Sequence, residues 1–206
     1  MQISYSILSA NLLHLENELQ TLSPFIDSIH FDVMDGHFVP HISFGIPILE
    51  ALPQIVPIDV HLMTTNPLDD LLSYARHART IYLHAEVVTE EALEQALHTV
   101  ATYPVSLGLA INPETHIVDI LPLLRHVQHV LIMSVVPGAG GQQCKVETLE
   151  KIPEIHQDFP NMICAVDGGM NEGTAQLAKT KGAQHIIAGS YITKATDRSA
   201  AIALLR

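Results

Sequence analysis

The chain has 206 residues, 48% of them hydrophobic and only 16% charged, so it can bury a sizeable core and is not intrinsically disordered. Its 22 acidic and 10 basic residues give a formal net charge of −12, and no Lys or Arg precedes Arg76. This charge balance disfavours a polyanionic partner, so we expect no nucleic acid to bind.

The first residues lack the basic segment of a secretory signal, and no apolar run approaches the ~20 residues that span a membrane. We therefore expect no membrane association. The two cysteines, Cys144 and Cys164, are too few for a disulfide framework, which predicts a reducing, cytoplasmic location.

Short β-branched segments alternate with amphipathic segments along the chain. Asn11, Thr89 and Asn171 are suited to cap helices, and Asn66-Pro67 predicts the start of a helix over Leu68–Ala78. The segments that predict strands are Ile3–Leu8, Ile26–Val33, Val56–Leu62, Thr80–Leu83, Val105–Ile111, His129–Val135, Met162–Val166 and Gln184–Ala188.

Eight strand–helix units of about 25 residues each predict a single (β/α)₈ TIM barrel over residues 1–206, an α/β fold with a parallel sheet. A doubly wound open sheet is the alternative architecture. The first predicted strand is not followed by the glycine-rich nucleotide-binding fingerprint of that fold, which favours the barrel.

Polar side chains interrupt three of the predicted strands. His30 and Asp32 share one face of a strand because strand side chains alternate, His61 lies on the next strand, and Asp167 ends the seventh. In a barrel, such strand ends face the mouth, where barrel enzymes carry their chemistry. Two carboxylates and two imidazoles are costly to bury together unless a divalent cation compensates. This set of ligands suits Zn²⁺, Fe²⁺, Mn²⁺ or Co²⁺.

Each of these residues also has a simpler interpretation, because a single His in a strand is more often a hydrogen-bonded core residue. The joint placement of four ligand-type residues at strand ends is what favours a metal site. Other residues that are as readily explained by structure or core packing are Asp35, His37, Asp59, His84, Met34, Met63 and Met133.

Two glycine-containing segments follow predicted strands. Gly138–Gly141 comes after the sixth strand and is longer than a tight turn requires, which indicates a mobile lid. Gly189-Ser190 comes after the eighth strand, where barrel loops often bind a phosphate through backbone N–H groups without Lys or Arg. The alternative interpretation is that these glycines only form tight turns.

Seven segments, spread over the whole chain, carry a resemblance to the ribulose-phosphate 3-epimerase family. These enzymes are ribulose-phosphate-binding barrels that interconvert ribulose 5-phosphate and xylulose 5-phosphate in pentose phosphate metabolism. The segments are SILSAN (Ser6–Asn11), IHFDVMDGHFVP (Ile29–Pro40), PIDVHLM (Pro57–Met63), LAINP (Leu109–Pro113), MSVVPGAGGQ (Met133–Gln142), VDGGMN (Val166–Asn171) and AGSYI (Ala188–Ile192).

The resemblance implies one divalent metal ion held by His30, Asp32, His61 and Asp167. It also implies that Asp32 accepts a proton from the substrate, that Asp167 donates one, and that the chain forms a homo-oligomer. The residues that would contact the sugar phosphate or close over it are Ser6, His61, Gly138, Ala139, Gly140, Gly141, Gly168, Gly169, Gly189 and Ser190.

The chain departs from the family pattern at several positions outside the four ligands. Ala139 stands where the family commonly has Phe, so a six-carbon substrate such as allulose 6-phosphate is an alternative. Asn11, Cys144 and Tyr5 replace a usual Asp, an aromatic residue and a frequent Pro. A decarboxylase or aldolase would need a catalytic Lys near Asp32, where none occurs. A sugar-phosphate-binding paralogue without activity is the remaining alternative.

Overall fold

A computed structural model of the chain describes residues 1–69 and 71–206. Its strands are all parallel and pair in chain order, and the last strand closes onto the first, so the predicted (β/α)₈ TIM barrel is confirmed. The strands are β1 (Gln2–Ser6), β2 (Ser28–Met34), β3 (Ile58–Met63), β4 (Thr80–His84), β5 (Ser106–Ile111), β6 (His129–Met133), β7 (Ile163–Asp167) and β8 (His185–Ala188).

Helices follow the strands, and some of them begin at a residue whose side chain caps the helix. The Thr89 side chain accepts a hydrogen bond from the backbone of Ala92, and Asn171 caps its helix in a reciprocal pair with Thr174. The α-helices are α1 (Leu15–Leu22), α2 (Ile46–Ala51), α3 (Leu71–Ala75), α4 (Glu90–Val100), α5 (Ile117–Leu124), α6 (Lys151–Asp158), α7 (Glu172–Lys181), α8 (Ser190–Thr193) and α9 (Arg198–Leu204). Even α4, the longest helix in the described part of the chain, is too short to cross a membrane.

Some element ends differ from the sequence-based prediction. β1 stops at Ser6 because Ile7–Ser9 turn into a 3₁₀ helix at the mouth, the end of the barrel where the strands have their carboxyl ends. The helix predicted over Leu68–Ala78 is shorter, and Asp70 within it lies outside the described residues. After a turn, the backbone N–H of Arg79 donates to the carbonyl oxygen of Ile58 (2.7 Å), which leads the chain into β4.

The alternation of side chains along the strands divides the core in two. Outward-facing residues such as Ile29 and Phe31 pack in the layer between the barrel and its helices. The inward-facing residues that fill the barrel are Tyr82, Ala110, Leu131, Met133, Val135, Ala165 and Ile187. Because this apolar filling closes the barrel interior, a solvent-accessible site can form only at one of its ends.

A buried carboxylate, Asp59 on β3, occupies the amino-terminal end of the barrel. Arg79 donates hydrogen bonds from Nε to Asp59 Oδ1 (3.0 Å) and from Nη2 to Oδ2 (2.6 Å). The Ser4 hydroxyl also donates to Oδ2, at 3.3 Å. Burial opposes the ionisation of Asp59, but the hydrogen bonds and charge of Arg79 outweigh it and lower the pKa of this carboxyl. The chain therefore supplies its own cation at this end.

The substitution Asp59→Asn should lower the free energy of unfolding at pH 7 by about 2 kcal/mol. This is less than for a fully buried pair, because the Arg79 side chain is 36% exposed and can be hydrated when it loses its partner. Since folding lowers the pKa of Asp59 from 3.8, its contribution to the free energy of unfolding is fully present above that pH. It decreases as the pH falls from 3.8 towards the lower pKa of the folded state. Urea denaturation between pH 7 and pH 3 measures both effects.

Glu90→Gln is the matched control, because Glu90 pairs with His126 on the helical surface and its side chain is 52% exposed. We expect this control to cost less than about 1 kcal/mol. If the difference in the free energy of unfolding between wild type and Asp59→Asn stayed constant as the pH falls, this result would contradict the assigned role of the ion pair.

Candidate active site

Four ligand-type side chains meet at the mouth of the barrel. His30 and Asp32 come from β2, His61 from β3 and Asp167 from β7. Each offers one ligand atom, and these atoms all lie within 4.8 Å of one another. The pairing register places Asp32 directly beside His61, and the two-residue period places His30 on the same face as Asp32. The structure thus brings together the residues that the sequence predicts as metal ligands.

The burial and hydrogen bonding of this group fit a bound metal ion. His30 and His61 are fully buried, and neither ring nitrogen of His30 has a hydrogen-bond partner among the described residues. His30 Nε2 lies 3.2 Å from Asp32 Oδ1 and 3.8 Å from Asp167 Oδ2. A buried imidazole without a partner is costly, and a cation that shares these ligand atoms removes this cost. These four side chains could therefore hold a divalent metal.

The two carboxylates of this group differ in their pKa values. Burial opposes the ionisation of Asp32, but the positive charge of the neighbouring His30 outweighs it, so the pKa of Asp32 lies well below its usual range. Burial raises the pKa of Asp167 to about 7, against the opposing charge of His30. Burial alone would lower the pKa of His30, but Asp32 raises it to about 9. The neighbouring carboxylates thus favour the protonated, cationic form of His30.

A cleft opens above these four side chains. Asp32 and Asp167 face it, whereas the buried His30 and His61 are not among its lining residues. The described lining contains no Lys or Arg. Other predicted substrate-contact residues that line the cleft are Ser6, Gly138, Ala139, Gly140, Gly141, Gly168, Gly169, Gly189 and Ser190.

The glycines after β7 have conformations that other residues adopt with difficulty. Gly168 and Gly169 have positive φ angles of 115° and 62°. A Cβ atom on Gly168 would collide with Val135, and one on Gly169 would collide with the backbone of Cys144. These two positions need glycine for both reasons, and their backbone lies directly against the cleft.

The loop after β6 is held together by Gln142. Its side-chain Nε2 donates hydrogen bonds to the carbonyl oxygens of Val136 (2.7 Å) and Ala139 (2.8 Å). Gly138 approaches Val39 from the loop after β2, and Gly140 approaches the Ser9 hydroxyl after β1. This loop therefore lies across the mouth, with Ala139 in the wall of the cleft.

Several residues that the sequence explains as structural contribute to the site as well. Met34, Met63 and Met133 line the cleft, so they form its apolar wall in addition to packing. His84 contacts the ligand His61, with 2.9 Å between their Nε2 atoms. The signal in the sequence is that Met34 and Met63 lie on the same strand faces as candidate ligands. Met133 ends β6, a strand without a candidate ligand, and only the strand pairing places it beside Asp167.

The fold is shared with solved structures of low sequence identity. A 3-hexulose-6-phosphate synthase from Salmonella typhimurium matches 100% of this chain and 96% of its own, with a TM-score of 0.76 and 14% identity. KGPDC from Streptococcus mutans matches 99% of this chain and 94% of its own, with a TM-score of 0.71 and 14% identity. At such identities these likenesses establish the barrel fold alone.

The sequence comparisons identify the family, which the fold comparisons do not. The model of the ribulose-phosphate 3 epimerase family matches residues 2–193. Ribulose-phosphate 3-epimerase from Helicobacter pylori (strain J99 / ATCC 700824) is 37% identical, over 98% of this chain and 95% of its own length. The enzyme from Bacillus subtilis (strain 168) is 35% identical over 100% of this chain and 98% of its own length. The cytoplasmic isoform from Oryza sativa subsp. japonica is 31% identical over 100% of this chain and 92% of its own length. The chain therefore belongs to the ribulose-phosphate 3-epimerase family, and is an isomerase of the epimerase class.

Proposed function

We propose that this chain interconverts D-ribulose 5-phosphate and D-xylulose 5-phosphate by inverting carbon 3 with the help of one divalent metal ion. The observation that carries the proposal is the placement of Asp32 and Asp167. These carboxylates come from β2 and β7, face one cleft, and lie beside the same unpartnered imidazole of His30. Two acid–base groups at one carbon are what an inversion requires.

Carbon 3 of the ketose lies next to the carbonyl carbon, so its proton is acidic enough to be removed by a carboxylate. Asp32 accepts this proton from one face, and the electron pair of the broken C–H bond moves into an enediolate. Asp167 then donates a proton to carbon 3 from the opposite face, which inverts the centre. One forward turnover therefore leaves Asp32 protonated and Asp167 ionised. The starting form returns when Asp32 releases its proton to solvent and Asp167 takes one up, and in the reverse direction the two aspartates exchange roles.

His30, Asp32, His61 and Asp167 would hold the metal, which is Zn²⁺, Fe²⁺, Mn²⁺ or Co²⁺ by the chemistry of these ligands. A divalent ion bound there supplies Lewis acidity, which stabilises negative charge that develops on the substrate oxygens. Ser6 donates a hydrogen bond to Asp32 Oδ2 at 3.0 Å, which orients this carboxylate. Ser6 lines the cleft and is proposed to contact the sugar, whereas the expected sugar contact of His61 stays a prediction, because this buried side chain does not line the cleft.

The phosphate group is proposed to bind to the loops after β7 and β8. Support comes from the backbone of Gly168, Gly169 and Gly189 and from Ser190, all of which line the cleft. Backbone N–H groups can bind a phosphate without Lys or Arg, and the described lining contains neither. The loop Gly138–Gly141 is proposed to close over the bound sugar and exclude water.

Two further expectations, a homo-oligomer and a cytoplasmic location, stay predictions. Gel filtration with light scattering and cell fractionation are the measurements that address them.

Removing the metal should abolish the reaction. In D₂O, the purified protein with ribulose 5-phosphate should produce xylulose 5-phosphate with deuterium at carbon 3, as followed by NMR. Treatment with EDTA should stop both the formation of xylulose 5-phosphate and the incorporation of deuterium. Each of the four candidate ions should then be added back to test whether it restores the reaction. Absence of exchange from protein that holds metal by elemental analysis would contradict the pentose phosphate as substrate.

Asp32→Asn and Asp167→Asn should each lower kcat by more than the roughly 10²–10⁴-fold that is due to proton transfer, because each also removes a metal ligand. Asp59→Asn is the matched control, since Asp59 lies on the opposite end of the barrel beside Arg79. We expect the control to keep kcat within about threefold of wild type at 25 °C. Turnover close to wild type in either test variant, with metal bound, would contradict the two-aspartate mechanism.

A six-carbon ketose phosphate is the alternative substrate, and the small side chain of Ala139 in the cleft wall is the observation that favours it. Ala139→Phe should lower kcat/KM for allulose 6-phosphate about tenfold more than kcat/KM for ribulose 5-phosphate. Val136→Phe is the control, because Val136 is half exposed and does not line the cleft. Equal effects of Ala139→Phe on both substrates would show that this residue does not limit substrate length.

A further inference from the structure

A continuous row of hydrogen bonds leads from His61 away from the cleft. His61 Nε2 lies 2.9 Å from His84 Nε2, and His84 Nδ1 lies 2.9 Å from Glu86 Oε2. His84 is the last residue of β4 and is fully buried, whereas Glu86 is partly buried in the turn that follows. His84 and Glu86 are not among the residues that line the cleft. Their hydrogen-bonded connection to the candidate metal site runs through His61.

The carboxylate at the far end of this row is fixed by the loop after β5. Glu86 Oε1 accepts a hydrogen bond from the backbone N–H of Asn112 at 2.8 Å and another from the Thr115 hydroxyl. Burial opposes the ionisation of Glu86, but the hydrogen bonds from His84, Asn112 and Thr115 outweigh it and lower its pKa to about 2. An ionised carboxylate only accepts hydrogen bonds, so His84 Nδ1 must be the donor.

Hydrogen-bond complementarity relates the proton of His61 to that of His84. The His84 tautomer that donates from Nδ1 carries a lone pair on Nε2, where it accepts a hydrogen bond from His61 Nε2–H. His61 consequently has its lone pair on Nδ1, which lies 3.1 Å from Asp32 Oδ1. Two acceptor atoms at this distance repel each other unless a cation is shared between them. The row thus ends in the arrangement that a metal ligand requires.

The opposite proton arrangement would prevent metal binding. If His61 carried its proton on Nδ1, this nitrogen would donate to Asp32 and could not coordinate an ion. The packing of His84 adds to its fixed orientation, because its ring lies against Phe38 with 4.4 Å between the ring centroids. The position of His84 is therefore defined on three sides, by Glu86, Phe38 and His61.

We propose that His84 and Glu86 are positioning residues that hold His61 in the Nε2–H tautomer and so direct its Nδ1 lone pair to the metal. The proposal rests on the metal site of the proposed function. Carboxylate partners behind a ligating His commonly fix its tautomer and ring orientation. Here a second imidazole stands between the ligand and the carboxylate, and it links the metal site on β2, β3 and β7 to β4 and to the loop after β5.

Zinc affinity, measured by competition with a chromophoric chelator in the absence of sugar, tests the proposal. His84→Asn keeps a polar group near Glu86 but does not reach His61, so it should weaken zinc binding roughly 10- to 100-fold. His84→Gln is longer and can place its carbonyl oxygen where Nε2 was, so it should stay within about threefold of wild type. Glu86→Gln removes the charge that fixes the His84 proton and should also weaken binding roughly 10- to 100-fold.

His126→Asn is the matched control, because His126 Nε2 forms a comparable 2.8 Å contact with Glu90 on the helical surface. Its zinc affinity should equal that of wild type. Circular dichroism establishes that each variant is folded. Equal zinc affinity of folded His84→Asn, Glu86→Gln and wild type would overturn the proposal, and so would equal losses in His84→Asn and His84→Gln.

The tautomer can be read directly by ¹⁵N NMR of the zinc-loaded protein. Wild type and His84→Gln should show His61 protonated at Nε2, and a proton on Nδ1 in wild type would overturn the proposal. Zinc-loaded wild type that binds zinc as expected but does not turn over ribulose 5-phosphate would contradict the proposed substrate and leave the positioning role supported. Wild type that binds no zinc would overturn both.

Discussion

The placement of buried negative charge is the constraint on which the rest of this barrel depends. At the amino-terminal end, Asp59 is neutralised by the bidentate pair with Arg79, a cation that the chain itself supplies. At the mouth, Asp32 and Asp167 face one cleft whose described lining contains no Lys or Arg. The buried His30 beside both carboxylates supplies part of the balancing charge, and the proposed divalent ion would supply the rest. Such an ion would also reach the substrate, which a guanidinium held in an ion pair would not do as well.

The barrel divides the functional groups between rigid strands and adaptable loops. The proposed ligands lie on β2, β3 and β7, where strand pairing places Asp32 beside His61 and the apolar filling of the barrel supports them from below. The proposed phosphate and lid contacts are glycine-rich loops after β6, β7 and β8. Proton transfer needs positions accurate to a fraction of an ångström, whereas substrate entry needs a segment that moves. This division meets both needs.

Much of this arrangement can be predicted from the sequence because it depends on periodicity within one segment. His30 and Asp32 must share a face wherever a strand runs through them, and strand ends meet at the mouth of any parallel barrel. The contact between His61 and His84 depends instead on the register between β3 and β4, in which His61 pairs with Tyr82 and His84 is the next inward residue. No local pattern contains that register, so His84 has an equally good structural interpretation until the strands are aligned.

The departures from the family pattern lie where they leave the proton chemistry intact. Tyr5 points outward from β1, where its hydroxyl contacts Glu18 (2.9 Å) and Thr193 (2.8 Å) behind the barrel wall. Asn11 accepts a hydrogen bond from the backbone of Leu13 in the first turn after β1. Ala139 lies in the loop that is proposed to close over the sugar, and the row from His61 to Glu86 does not include this loop. Under the proposed function, substitutions in this loop would change which sugar phosphate is covered without changing how the metal is held. Substrate length and metal affinity would then vary independently in this barrel.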